Sequence, residues 1–168
     1  MEKITHSFAP VYDCQSRVLI LGTMPSPKSR ANGFYYSHPQ NRFWRIMGDI
    51  FDQLVPDAPE QKRDWLMDHR IALWDVLHSC DITGADDSSI RNPVPNDLTQ
   101  IINYAPIQAI FTTGTKAAAL YKRFCLPSIG MEAIALPSTS PANCRFYRYE
   151  QLLEQYQIIK TYLDEGNI

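Results

Sequence analysis

Four short apolar runs constrain this chain more than anything else in it. Val18–Leu21 (VLIL), Ile71–Leu77 (IALWDVL), Ala109–Thr113 (AIFTT) and Ala133–Leu136 (AIAL) each give way to turn-forming residues, and apolar residues at helical spacing follow. Runs this short and this apolar suit strands covered on both faces. Strands alternating with helices imply a parallel sheet with helices on both sides. The expected fold is therefore α/β, a three-layer αβα sandwich with a central four-stranded parallel sheet. A chain of 168 residues is long enough to bury a full core without staples, and a single domain over 1–168 is expected.

The connections read as follows. Residues 1–17 are a lead-in without a period. A helix is expected from about Pro39 to Leu54, with Phe43, Met47, Ile50 and Leu54 on one face and Pro39 suited to the first position. Asp57, three residues ahead of Glu60, suggests a capping box for a short helix through Trp65 and Leu66. Residues 78–95 read as a long polar excursion, punctuated by Asn92–Pro93 and Pro95. Asn96 suits the cap of a short helix carrying Leu98, Ile101 and Ile102. Thr115 is expected to cap a helix with Ala117, Leu120, Tyr121 and Phe124 inward. A last helix carries Tyr149, Leu152, Leu153, Tyr156, Ile159 and Leu163 on one face.

Composition removes several classes. Hydrophobic residues make up 45% and charged ones 20%, the balance of an ordinary globular chain. No apolar run approaches spanning length, and the amino terminus lacks the apolar stretch of a signal peptide, so no membrane partner and a cytoplasmic location are expected. The cysteines at 14, 80, 125 and 144 contain no C-x-x-C pair, so free thiols are expected and no metal centre. Without a G-x-G-x-x-G or Walker pattern, a nucleotide cofactor lacks support. The net charge of −2 does not suggest a protein that coats nucleic acid. Its distribution says more: Lys28, Arg30, Arg42 and Arg45 gather around the first loop, and Arg145 and Arg148 follow a later one. Such a rim permits phosphate contacts, and an ordinary solvated surface would look similar.

Two loops stand out. The first runs from Gly22 to Pro39, rich in Pro, Ser and Gly, and carries Tyr35 and Tyr36. Gly22 serves a tight turn, close backbone approach to a ligand, or both. One tyrosine of the pair is expected to pack beneath the loop, the other to face a cleft as a stacking platform for a planar ligand. His38 reads as a structural cap more readily than as a catalyst. Asn41 offers both a donor and an acceptor, and its bland alternative is a local hydrogen bond to backbone. The second loop, PSTSPAN at 137–143, is stiff and polar, with Ser138, Thr139, Ser140 and Asn143 suited to phosphate oxygens or a groove. Both loops follow strands and so share one sheet edge, where open α/β folds bind ligands.

Together the G-x-x-P loop at Gly22 and Pro25, the segment GFYYSHPQNRFW and the later LPSTSPAN resemble the uracil-DNA glycosylase superfamily. The nearest likeness is to its hypoxanthine (deoxyinosine) DNA glycosylase branch, with the mismatch-specific uracil branch a near relative. The resemblance covers most of the chain. It implies monofunctional cleavage of the N-glycosidic bond of a deaminated base in DNA. The nucleotide is flipped into a pocket, water attacks C1′, and neither metal nor cofactor takes part.

The resemblance also implies roles. Asn41, matching the Asn of H-P-x-N, would be catalytic. Gly22, Thr23, Met24, Pro25, Tyr36 and His38 would form the base pocket, with Tyr36 stacking on the flipped base. Lys28, Ser138, Thr139, Ser140, Pro141, Asn143 and Arg145 would contact DNA. Met24 departs from the pattern: the mismatch-specific branch has a water-holding Asn there, and a thioether is only a weak acceptor. Other branches often use Asp nearby, and this loop has none; Ser26 also replaces a common Gly. These departures point away from ordinary uracil excision and toward hypoxanthine, with uracil second. The expected partner is single- or double-stranded DNA bearing a deaminated base, met by a monomer. Two rivals stand beside this expectation: a non-catalytic nucleic-acid binding module and a hydrolase of free nucleosides.

Overall fold

The computed structural model describes residues 1–165. Its strands are β1 (Glu2–Thr5), β2 (Val18–Gly22), β3 (Ile71–Asp75), β4 (Leu77–Thr83), β5 (Asp86–Pro95), β6 (Ala109–Thr113) and β7 (Ala133–Leu136). Its helices are α1 (Pro27–Asn32), α2 (Phe43–Ile50), α3 (Pro59–Asp68), α4 (Thr99–Ile102), α5 (Thr115–Phe124), α6 (Leu126–Ile129), α7 (Tyr149–Tyr156) and α8 (Ile158–Glu165). The four apolar runs form one parallel sheet in the order β3-β2-β6-β7. Every residue of β2, β3 and β6 is buried, as it must be in a sheet covered on both faces. Helix α3 packs on β3, α8 on β2, and α5 on β6 and β7.

The strand order places the ligand crevice. After β2 the chain pairs β3 on one side, and later β6 on the other, so the order reverses between β2 and β6. Gly22 ends β2 and Thr113 ends β6, directly at that switch point.

Residues 78–95 are not a polar excursion. They form most of the hairpin β4–β5, and β1 from the lead-in joins it in a second, antiparallel sheet ordered β1-β4-β5. Serine, aspartate and proline make this stretch look like turn, while pairing on both sides of β4 overrides that weak preference. Only Val76 separates β3 from β4. The corner is tied by Asn96, which does not cap α4. Its backbone N donates to Val76 O at 2.8 Å, and its Nδ2 donates to Asp75 O at 2.9 Å and Leu77 O at 3.0 Å.

Other boundaries shift for local reasons. Helix α2 begins at Phe43 because His38 to Asn41 form a turn, with Asn41 N donating to His38 O at 2.9 Å. It stops at Ile50: Asp52 takes a left-handed φ of 54° and Gln53 N returns to Gly48 O, leaving Leu54 98% exposed. A side chain on Gly48 would collide with the Gln53 carbonyl at 2.6 Å, so the reversal needs glycine there. Helix α3 starts at Pro59 after Ala58, without the expected Asp57 cap, and Gly114 rather than Thr115 precedes α5. The carboxyl-terminal helix is two segments meeting at Gln157, whose buried residues Leu152, Tyr156, Ile159 and Leu163 keep one face. Helix α1 lies inside the first loop. Its signals were local: Ser26 accepts from Ser29 N, Pro27 stands at the first position, and Gly33 closes it in the left-handed conformation.

Asn96→Ala leaves two buried carbonyls without their donor and should lower unfolding free energy by about 1–3 kcal/mol. Chemical denaturation of the two proteins measures it, and an unchanged midpoint would show that the corner is held by packing alone.

Candidate active site

The switch point opens into a cavity of about 120 Å³ lined by both special loops and by the new hairpin. Its floor is the carboxyl edge of the parallel sheet: Gly22, Asp75 and Thr113. A Cβ at Gly22 would stand 2.5 Å from Asp75 Oδ1 and 3.1 Å from the Tyr36 hydroxyl. Glycine is required here by close approach of side chains and not by backbone angle.

The tyrosine pair divides. Tyr35 is 2% exposed, and its hydroxyl donates to Ala9 O at 2.8 Å. Tyr36 has a left-handed φ of 52°, an uncommon conformation for a side-chain-bearing residue, and two contacts over-determine it. One face stacks on Phe43 with centroids 4.0 Å apart, and the hydroxyl lies 3.1 Å from Thr113 Oγ1. Burial, with Asp75 adding, pushes the Tyr36 phenol well above its ordinary range, so it stays neutral.

Asn41 is fixed from two sides. Its Oδ1 accepts from Phe43 N at 2.9 Å and from Thr139 Oγ1 at 2.8 Å. The first bond is the local helix-start contact; the second comes from ninety-eight residues away. With the oxygen so occupied, Nδ2 is the free end of the amide and makes no hydrogen bond to the protein among the described residues. Asn41 itself lines the cavity wall, and the nitrogen end of its amide can only donate.

Thr139, expected at the DNA surface, is 1% exposed and serves to hold Asn41. The rest of its loop is braced in the same way. Arg42 N donates to Thr139 O at 3.1 Å, Asn143 Nδ2 to Ser138 O at 2.9 Å, and Tyr156 hydroxyl to Pro137 O at 2.5 Å. Ser138 and Ser140 line the cavity, Pro141 opens a short 3-10 turn, and Lys28 and Arg145 are exposed on the surface. Arg42 is not a rim cation: its Nη1 donates to Tyr147 O at 2.6 Å, while Nε and Nη2 are buried without a partner. His38 does not reach the cavity wall; its Nδ1 accepts from Gln40 N at 3.1 Å. Thr23, Met24 and Pro25 do line it.

Reading the chain in sequence missed one wall and part of the floor. Ile82, Gly84, Ala85 and Asp87 reach the cavity because the hairpin folds over it. Burial pushes the Asp87 carboxyl up to about 6; Lys116 opposes the shift, and Asp75 and Asp86 add to it. Asp75 could have been flagged, as the one charge in an otherwise apolar strand. His6, bonded to Asp75 across 2.8 Å, carries no such signal in the lead-in. Among the described residues no cluster of His, Cys, Asp and Glu suits a metal ion, and no helix is long and apolar enough to cross a membrane.

A parallel α/β sheet carries at its switch point a cavity walled by Tyr36, the doubly held Asn41 amide and a braced polar loop. The Uracil DNA glycosylase superfamily profile matches residues 9–162. The chain belongs to that superfamily. It is 35% identical over 144 residues to a hypoxanthine DNA glycosylase of Methanosarcina acetivorans, covering 85% of this chain and 90% of that one. It is 32% identical over 139 residues to the hypoxanthine DNA glycosylase of Methanosarcina barkeri, covering 82% and 87%. A solution NMR structure of a candidate uracil DNA glycosylase from M. acetivorans superposes with a TM-score of 0.81 at 33% identity, over 95% of this chain and 98% of that one.

Thr139→Val keeps shape but removes the long-range donor to Asn41. It should lower stability by only about 0.5–1.5 kcal/mol. Base-release activity should fall several-fold at full folding, and Thr139→Ser should recover most of it. Equal activity in the valine variant would show that Phe43 N alone orients the amide.

Proposed function

We propose that this chain is a monofunctional DNA glycosylase that hydrolyses the N-glycosidic bond of a flipped, deaminated base, preferentially hypoxanthine. The observation that carries the reading is the Asn41 amide, which lines the cavity, whose oxygen is bound twice by the protein and whose nitrogen has no protein partner among the described residues. Relatives named hypoxanthine DNA glycosylase over most of their length support the choice of base.

In this reaction the bond from C1′ to the base nitrogen breaks and its electron pair leaves with the base. A water oxygen bonds to C1′ and gives up a proton, and the departing base anion takes up one proton, so the products are the sugar hydroxyl and the neutral base. Negative charge develops on the base and positive charge on the sugar. A donor already aimed at the base stabilises that charge without reorganising, and pre-organisation of this kind is the strongest catalytic means open to such a site. Tyr36, pressed on Phe43 from behind, offers its other face to the flipped ring. Met24 lines the wall but lacks the capacity to hold a water, so this chain is a poor excisor of uracil.

The DNA itself meets the surface around Lys28 and Arg145, on single or double strands, with the protein a cytoplasmic monomer. Opening a pair costs a few kcal/mol, least for a mismatch. The braced loop from Pro137 to Asn143 stands at the cavity and offsets part of that cost.

Asn41→Ala should retain fold and DNA binding and lose about a hundredfold in hypoxanthine release, the scale for one such donor. Strand cleavage by alkali after incubation with a deoxyinosine duplex reads the rate, and a gel shift reads binding. Parental release by Asn41→Ala would sink the assignment, and binding without release by the parent would mark a non-catalytic module. Tyr36→Ala should weaken binding to a lesion duplex by about 1–3 kcal/mol and leave undamaged duplex unaffected. An equal loss on both duplexes would place Tyr36 outside the base site.

A further inference from the structure

Asp75 and His6 form a buried pair that the mechanism above does not use. Their side chains are 5% and 3% exposed, and His6 Nε2 lies 2.8 Å from Asp75 Oδ2. His6 is itself held by rings, with Phe8 at 4.8 Å and Tyr35 at 5.9 Å between centroids. The Asp75 carbonyl is tied by Asn96 Nδ2 at 2.9 Å. Backbone and one carboxylate oxygen are therefore fixed. The other oxygen, Oδ1, lies beside Gly22 on the cavity floor and makes no hydrogen bond to the protein among the described residues.

A carboxylate is not buried without reason. Unpaired it would be strongly destabilising, and even with His6 beside it an apolar pair of equal volume is commonly as stable. The floor is also the wrong place to act on the sugar. A flipped nucleotide stays tethered through its phosphates to DNA outside the cavity, so its C1′ stops near the mouth and only the base reaches the sheet edge.

We propose, on the glycosylase reading, that Asp75 is the residue that tells a deaminated purine from adenine, and that His6 is the positioning residue that holds it in register. Hypoxanthine presents a ring N1–H and an O6 acceptor, whereas adenine presents a bare N1 and an N6 amino group. Asp75 Oδ1 accepts the N1–H of hypoxanthine and repels the N1 lone pair of adenine. The Asn41 amide supplies the complementary donor for an acceptor of the same base. Discrimination thus combines one attraction with one repulsion. His6 keeps Oδ2 occupied, so the carboxylate cannot rotate both oxygens away from the base. The amino-terminal segment, through β1 and the second sheet, in this way completes the base site.

The experiment measures binding of free hypoxanthine and free adenine by calorimetry to protein saturated with an abasic-site duplex, with release from a deoxyinosine duplex followed in parallel. The parent should prefer hypoxanthine. Asp75→Asn keeps the shape but can turn an amino group to the base, and it should reduce that preference about tenfold or more. His6→Ala should reduce it similarly, and His6→Gln, whose amide nitrogen can replace Nε2–H, should restore at least half on the logarithmic scale. Melting temperatures identify any variant that fails to fold. A parent with no preference, or Asp75→Asn with the parental preference, overturns the assignment of Asp75. Equal selectivity of folded His6→Ala and His6→Gln overturns the positioning role. Failure of the parent to release hypoxanthine from DNA rejects the glycosylase reading, while the free-base comparison still decides the role of Asp75.

Discussion

The hydrogen bond from Thr139 Oγ1 to Asn41 Oδ1 at 2.8 Å joins the two loops that define this molecule. Without it the amide would be held by Phe43 N alone, free to exchange its oxygen and nitrogen ends toward the cavity. With it, and with Arg42 N donating to Thr139 O, the start of α2 and the loop after β7 become one rigid wall. Tyr156 and Asn143 brace that wall from behind. The proposed chemistry asks for a donor aimed before the base arrives, and this interlock fixes the amide that would supply it.

The second constraint is the corner between β3 and β4. A strand that ends a parallel sheet and at once begins an antiparallel one must turn within a residue, here Val76. Asn96 satisfies the carbonyls on both sides of the turn. The hairpin is thereby folded over the carboxyl edge of the sheet, where Ile82, Gly84 and Asp87 close the cavity. Asp75 sits at the pivot and is held by backbone and side chain together.

Electrostatics divides the site by depth. Carboxylates, Asp75 on the floor and Asp87 at the hairpin, line the cavity, while Lys28 and Arg145 are exposed on the surface. Under the proposed function, this arrangement suits a polyanion that stays outside and sends one base inward. The tyrosines remain neutral between these charges, because burial and Asp75 both disfavour their ionised form.

The sequence alone determined the parallel sheet and the edge that carries function. Apolar runs such as VLIL and AIFTT can be buried only on both faces, and loops after parallel strands gather at one end whatever else the chain does. Tyr36 and Asn41 are singled out only by the resemblance that GFYYSHPQNRFW carries; the residues alone leave open which tyrosine faces the cleft and what Asn41 bonds. The sequence could not show the antiparallel sheet: β1, β4 and β5 are rich in polar and turn-forming residues, and become strands only by pairing with one another. Nor could it show that Thr139 is a brace rather than a DNA contact, since a threonine reads the same in either role until its hydroxyl finds a partner ninety-eight residues away. His6 meets Asp75 across sixty-nine residues for the same reason. Local periodicity is written in neighbours along the chain; hydrogen bonds between distant side chains exist only once the sheet has brought its loops together.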